Sequence, residues 1–462
     1  MSRRHARRPA RLPAGEFRIR IDRLGHDGRG IGQLDGKTVF VEGALPGEEV
    51  AFRYTFRRNN FDEGVATQIV AASAMRIEPV CPHAGICGGC SMQHLAADEQ
   101  LAMKQRVLLE QLQHFGCVSP QEILPALTGD RFGYRRKARL AVHGHGRGSV
   151  RVGFREKRTN NIADIDSCAV LLPEVGREIM ALRALLSSLV ARDRIPQVQV
   201  AAGDETVALV IRHLDALSES DHAALVDWCR VRGFHCYLQP GNESTVWRAW
   251  PPRAAAPADR DDTGLIYRLD DFGIELCFHP GDFTQVNSSV NRLMVRHAIE
   301  LLDPQPDDRV LDLFCGLGNF TLPLATRAAH VTGIEGSMAM VERATGNVAH
   351  NRSRGVELGE TRFFAANLDG DFAGASWARE RYDRLLIDPP RSGAEALCRV
   401  ASRFGAVRIV YVSCNPATFA RDAGLLAAQG YVLEKVGVMD MFPHTAHVES
   451  IALFGKSAGN RR

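Results

Sequence analysis

A chain of 462 residues is too long for one hydrophobic core, so two or three domains are expected. Apolar content of 45% and charged content of 24% are those of a soluble globular protein, and no apolar run approaches the length of a membrane span. The net charge of +3 is too small to identify a partner, so the placing of the charges has to do so.

The first 14 residues read as a disordered basic tail, MSRRHARRPARLPA. No apolar segment follows those charges, so the tail does not read as a secretory signal and a cytoplasmic protein is expected. Its 11 cysteines are then reduced thiols, catalytic groups or metal ligands rather than disulfides. Residues 15–73 alternate apolar and polar between Gly-rich turns, which predicts five short strands and a small OB-like β-barrel. Arg29, Lys37, Arg53, Arg57 and Arg58 give it a basic surface interleaved with Phe40, Phe52, Tyr54 and Phe56. Such a barrel suits single-stranded nucleic acid, although most of these aromatics also suit the barrel core.

Residues 74–265 form the expected central α+β domain. It opens on Cys81, Cys87 and Cys90, followed by a helix over roughly 97–115. Thiolates of this kind suit iron–sulfur or zinc. Structural zinc sites usually present two C-x2-C pairs, and here only Cys87 and Cys90 form one, which leans toward iron–sulfur. Between Arg131 and Arg158 stand ten Arg or Lys residues and one acid, Glu156. Strand-like alternation in this run would put many of the cations on one sheet face, and a phosphate backbone is their natural partner. A mixed stretch of helices and strands over 172–250 leads to a linker-like segment, Pro251 to Asp262.

From residue 266 to 462, strands alternate with helices, which predicts a doubly wound, mainly parallel α/β sheet. Polar groups stand at the ends of its strands, where such sheets bind ligands. DLFCGLGNF, Asp312 to Phe320, is a glycine turn between a strand and a helix. Glu335 ends the next strand, where it can accept from two ribose hydroxyls, and Asn367 ends the third, within reach of an adenine. The glycine spacing departs from the G-x-G-x-x-G dinucleotide fingerprint. It suits S-adenosylmethionine, which has no pyrophosphate to cradle. Asp388-Pro-Pro-Arg391 ends the fourth strand. Methyltransferases acting on exocyclic amines typically carry Asn there, so the aspartate points to ring-carbon chemistry.

The fifth strand, VRIVYVSCNP, ends on Cys414. A buried cysteine is usually a core residue, but this one stands among the cofactor elements. A thiolate adding to C6 of a uracil converts C5 from a poor nucleophile into an enolate carbon able to take a methyl group. A base must then remove the C5 proton so that the thiolate can leave. Glu449, in HVES at the start of the last strand, is the candidate.

On CPHAGICGGCSMQH, PGDFTQVN, DLFCGLGNF, IDPPRSG, VSCNP and HVES, the chain resembles the bacterial 23S ribosomal RNA uracil-C5 methyltransferases with an N-terminal TRAM domain and an iron–sulfur cluster. The resemblance covers nearly everything beyond the basic tail. It implies a class I methyltransferase domain and a monomer that methylates the uridine numbered 1939 in 23S rRNA. It also implies that Cys414 is the nucleophile and Glu449 the base. Gln285, Phe314, Asn319, Glu335, Asn367 and Asp388 would line the S-adenosylmethionine site. Cys81, Cys87, Cys90 and the distant Cys168 would hold a [4Fe–4S] cluster with a structural role. Methylation of another 23S or transfer RNA uracil is the competing enzyme reading. A non-catalytic RNA-binding assembly factor is the competing non-enzyme reading, disfavoured by the intact Cys414, Glu449, Gly316 and Gly318 set.

Overall fold

The computed structural model describes residues 12–145, 148–252, 264–370 and 372–457. Most of the expected basic tail, Arg147 of the cationic run and most of the linker after Pro251 lie outside these residues. The described chain forms two units. One comprises residues 12–85, Gly89–Arg106 and His444–His447, and the other holds Ile86–Gly88, Val107–Pro443 and residues 448–457. This division is coarser than the three domains expected from composition.

The first unit is built on six strands, one more than expected, in the order Phe17–Arg20, Glu49–Arg57, Phe61–Ala71, Lys37–Glu42, Gly30–Leu34 and Arg23–Leu24. Ile19, Ile21, Val39, Val41, Val50 and Phe52 alternate inward to make its core. Of the four aromatics singled out, only Phe52 is buried, while Phe56 is exposed. Arg29 lies 4.8 Å over Phe40, Arg57 5.3 Å over Tyr54 and Arg58 5.1 Å over Phe56. The surface therefore pairs cation with aromatic ring, and the expectation that most of these aromatics fill the barrel core holds only for Phe52.

In the second unit a six-stranded sheet comes first, in the order Trp247–Trp250, His235–Gln239, Val207–Arg212, Gln197–Ala202, Lys137–His145, Ser149–Gly153. One face packs on an apolar cluster shared with helix Ile179–Ser188 and with Leu225 and Cys229 of helix Glu219–Val231. The hairpin Leu265–Leu269 and Ile274–Phe278 follows.

The last sheet carries β1 (Arg309–Leu313), β2 (His330–Glu335), β3 (Glu360–Ala365), β4 (Arg384–Ile387), β5 (Arg408–Ser413), β6 (Tyr431–Met439) and β7 (Glu449–Lys456). Their order is 3-2-1-4-5-7-6, with the two-residue strand Glu122–Ile123 beyond β6. Pairings among β1 to β5 are parallel, and β7 runs antiparallel to both β5 and β6. Ile409 to Val412 of β5 are no more than 1% exposed, and burying each such side chain contributes roughly 1.5–3 kcal/mol. This explains why β5 reads as an unbroken apolar run rather than an alternating one. The chain turns to β2 on one side of β1 and returns to β4 on the other, so the crevice for a ligand opens at the carboxyl ends of β1 and β4. Among the described residues, no helix is long and apolar enough to cross a membrane.

Candidate functional site

The turn after β1 is held in a conformation few residues adopt. Phe314, Gly316 and Gly318 have φ of +65°, +56° and +91°, so a non-glycine residue, Phe314, carries strain where β1 ends. A Cβ at Gly316 would have only the Met340 methyl within reach, at 3.7 Å, which leaves that side of the turn open to a ligand. Glu335, at the end of β2, accepts from the Gly316 N–H through Oε2 at 3.2 Å and from the Ser337 N–H through Oε1 at 3.0 Å. Each carboxylate oxygen retains a second lone pair for a hydroxyl donor.

The predicted cofactor residues fall on two kinds of position. Phe314, Glu335 and Asp388 stand at the ends of β1, β2 and β4, and the Asp388 N–H bonds the Leu313 carbonyl at 3.2 Å to hold two of these ends together. Asn367 is exposed, two residues past β3, with Oδ1 taken up by the Asp369 N–H at 3.0 Å. Asn319 is in a different situation. Its Oδ1 accepts from the Tyr267 hydroxyl and from Asn291 Nδ2, both at 3.1 Å, and its Nδ2 donates to Asn291 Oδ1 at 3.0 Å. That amide ties the glycine turn to the hairpin and to helix Ser288–Leu302. Gln285 lies in a loop fixed from several directions. Gln199 donates to the Pro280 carbonyl at 2.6 Å, Lys137 to the Asp282 carbonyl, and the Arg136 N–H to the Val286 carbonyl at 2.9 Å.

Carboxyls crowd the strand ends. Burial pushes Asp388 up to about 7. Burial, aided by the neighbouring charges of Asp388 and Glu335, pushes Asp312 up to about 8 even though the Thr321 hydroxyl donates to it at 2.5 Å. Near neutral pH Asp312 is therefore mostly protonated and Asp388 only partly ionised, and a ligand carrying positive charge would draw both toward the ionised form.

Cys414 follows β5 directly. The register of the antiparallel pair ends with Ser413 opposite Ser450, so Cys414 and Glu449 are the next residue on each strand, and Glu449 is near enough for its charge to act on the Cys414 thiol. Burial first, then the charges of Glu449 and Asp388, push the Cys414 thiol up to about 12. Cys414 therefore rests as a thiol, and its proton would have to leave for the sulfur to act as a nucleophile.

The turn is built by its own sequence. Asn415 caps helix Pro416–Ala428 by accepting the Ala417 N–H at 3.1 Å, and Pro416 stands at the first helical position, where its missing N–H costs nothing. Asn415 Nδ2 and the Thr418 hydroxyl both donate to the Arg391 carbonyl, at 3.0 and 3.2 Å, which fastens the loop after Asp388 to the nucleophile turn. Asp422 completes the clamp and was not singled out from the sequence. It is fully buried, with Oδ2 accepting from the Tyr411 hydroxyl and the Ala394 N–H at 2.6 Å each, and Oδ1 from Arg421 at 2.9 Å. A signal was available: Asp422 shares the buried helix face of Phe419, Ala423 and Leu426, and a charge on an apolar face demands partners.

Cys81 and Cys90 belong to the first unit, and Cys87 and Cys168 to the second. Cys87 and Cys168 pack against the same apolar cluster. Four thiols are a suitable donor set for an iron–sulfur cluster. Among the described residues no group of three His, Cys, Asp or Glu side chains is gathered as a metal site.

The cationic run is divided by burial. Arg136 pairs with Asp204 at 3.1 Å and also bonds the Gly203 carbonyl, and burial pushes Lys137 down to about 8. These two serve the interior, contrary to the expectation of one shared outer face. Arg139, Arg155 and Arg158 are exposed. Changing these three to Gln is expected to lower the salt dependence of RNA binding by up to about one slope unit per lost phosphate contact. Filter binding across a salt series reads this, and an unchanged slope would make them an ordinary solvated face.

Comparison with known proteins follows this geometry. Residues 266–457 match the tRNA (Uracil-5-)-methyltransferase family model, and residues 14–66 match the TRAM domain model. The chain is 54% identical over 452 residues to a protein of Alcanivorax borkumensis named 23S rRNA (uracil(1939)-C(5))-methyltransferase RlmD, covering 98% of this chain and 99% of that one. A protein of the same name from Hahella chejuensis is 50% identical, with 98% and 100% covered. Among solved structures, the Pyrococcus abyssi tRNA (uracil-54, C5)-methyltransferase in complex with S-adenosyl-L-homocysteine superposes with a TM-score of 0.70 at 27% identity, over 95% of this chain and 99% of that one.

Proposed function

Because the chain belongs to the 23S rRNA (uracil(1939)-C(5))-methyltransferase RlmD family, we propose that it methylates C5 of that uridine from S-adenosylmethionine through a covalent Cys414 adduct. The observation that carries the reading is the pairing of β5 and β7 up to Ser413 and Ser450, which leaves a carboxylate, Glu449, beside a thiol, Cys414, close enough for the one to oppose the ionisation of the other. When bound, S-adenosylmethionine supplies an electrophilic methyl on a sulfonium. Phe314, Gly316, Glu335 and Asp388 form its bed, where its positive charge would draw Asp388 and the neighbouring Asp312 toward their ionised forms.

The Cys414 proton passes to solvent as its sulfur bonds C6 of the uracil, moving an electron pair toward C5 and O4. C5 takes the methyl group with that pair, and sulfur retains the electrons of the broken bond to methyl. Glu449 then removes the C5 proton, the ring double bond re-forms, and Cys414 leaves as thiolate. Asp422 and Asn415 act through others, keeping the Asp388 loop and the nucleophile turn in register.

A transfer RNA substrate is the runner-up, drawn from the Pyrococcus structure. Identity of 27% there against 54% to the RlmD-named relative favours ribosomal RNA. The deciding experiment transfers tritium from labelled S-adenosylmethionine to total RNA from a strain lacking the protein, then maps the label. Label at a 23S uridine supports the proposal, and label confined to transfer RNA replaces it.

Cys81, Cys87, Cys90 and Cys168 are proposed as the ligands of a [4Fe–4S] cluster through which no step of methyl transfer runs. Support comes from the thiol set and from the common core under Cys87 and Cys168. Protein purified without oxygen should be brown, with about four irons per chain. Cys87→Ser should lose the iron and keep S-adenosylmethionine binding. Stoichiometric zinc without iron would reject the cluster.

A further inference from the structure

One face of the six-stranded sheet is apolar throughout, but the other is not. Across adjacent strands the register lines up Arg139, Gln199 and Val210 in one row and Gln197, Arg212 and Gln239 in the next. These side chains share the face opposite the apolar cluster, since Leu140, Val198, Ile211 and Leu238 between them point into that cluster. At one end of the polar face Ala201, Ala208 and Tyr237 pack under Leu265 and Phe278 of the hairpin. At the other end it lines an open cavity of about 290 Å³, walled also by Asn242, Glu243 and Gly281.

The polar groups of this cavity are incompletely used. Gln239 is only 8% exposed and Gln199 6%. Gln199 spends its Nε2 on the Pro280 carbonyl, which leaves its Oε1 as an acceptor. Among the described residues, the side chains of Gln197, Gln239 and Arg212 have no hydrogen-bond or ion-pair partner. Arg139 is engaged at the rim by Glu243 at 3.2 Å, so Arg212 is the cation left for an anion. Three amides beside one cation present paired donors and acceptors next to a positive charge. That is the pattern that reads a nucleobase edge next to its phosphate. The Gly281 wall belongs to the same loop as Gln285.

We infer that this cavity takes one unpaired nucleotide of the RNA substrate other than the target uridine, its base edge on Gln197, Gln199 and Gln239 and its phosphate on Arg212. The inference rests on the uracil-methyltransferase reading and adds a second point of sequence recognition to it. Single-stranded RNA is read in this way, through bases splayed into pockets.

The test uses the full-length protein and an RNA oligonucleotide carrying the target uridine with its natural flanks, with each flanking base in turn replaced by an abasic residue. In the wild type, one abasic position should raise KM by about tenfold, the scale of one well-read base. In Gln197→Leu/Gln239→Leu that penalty should vanish, with kcat on intact RNA and the dissociation constant of S-adenosylmethionine unchanged. Arg212→Gln, an exposed position that does not endanger folding, should raise KM severalfold at every sequence and spare kcat. Competition by free nucleoside monophosphates, reversed in the Gln variant while RNA binding stays the same, would assign the cavity to a small nucleotide and overturn the RNA subsite. Abasic penalties of equal size in wild type and variant, together with an unchanged KM in Arg212→Gln, would also overturn it while leaving the methyltransferase reading intact. A wild-type protein that methylates none of these RNAs would remove both.

Discussion

Cys414→Ala is expected to lose methyl transfer by more than about a thousandfold, because no other group can raise the nucleophilicity of C5. Binding of S-adenosylmethionine, measured by calorimetry, should stay within a factor of about two, since none of the proposed cofactor residues depends on the thiol. Turnover within about tenfold of wild type, close to 1.4 kcal/mol of barrier, would end the nucleophile assignment. The raised thiol pKa adds a second measurement. Burial, Glu449 and Asp388 push Cys414 up to about 12, so at neutral pH the thiol is overwhelmingly protonated in the resting enzyme. Alkylation of Cys414 by iodoacetamide, followed by peptide mass spectrometry, should therefore rise about tenfold per pH unit from 7 to 10. Asp388→Asn removes one of the opposing charges and should speed alkylation at any pH at which Asp388 is ionised, above about 7. Alkylation independent of pH in this range would show that the thiolate is already formed at rest.

Those numbers mark where reading the chain worked and where it stopped. The alternation of strands and helices and the ends of β1, β2, β4 and β5 were legible because apolar runs, glycine turns and Asn-Pro are local signals, and each was followed by the polar residue that a crevice requires. That Glu449 and Asp388 stand close enough to oppose the ionisation of Cys414 depends on which strands the fold sets side by side, and strand pairing is a tertiary property. The same limit hid the Asn319–Asn291–Tyr267 amide network, whose members lie 28 and 52 residues apart in sequence. Arg136 and Lys137 were misread for a related reason. Charge along a strand looks uniform in sequence, and whether a given cation meets Asp204 or solvent depends on a different part of the chain.

Glu449→Gln separates the two halves of the reaction. The change keeps the size of a side chain that is only 8% exposed, so packing at the start of β7 should survive. It also removes a negative charge that holds the Cys414 thiol protonated, so formation of the sulfur–C6 bond should not be hindered by loss of the carboxylate. Methyl transfer to C5 should then proceed once. The neutral amide cannot take the C5 proton, and without that step sulfur cannot leave C6. The expected result is a protein–RNA species that survives denaturing electrophoresis, carries one tritiated methyl per chain, and accumulates to nearly the enzyme concentration, while multiple turnover falls by about two to four orders of magnitude. Cys414→Ala/Glu449→Gln should form none of it. Normal turnover with no adduct would mean that another group removes the proton. Loss of both turnover and adduct, with cofactor binding retained, would place Glu449 before the attack, as the acceptor of the thiol proton.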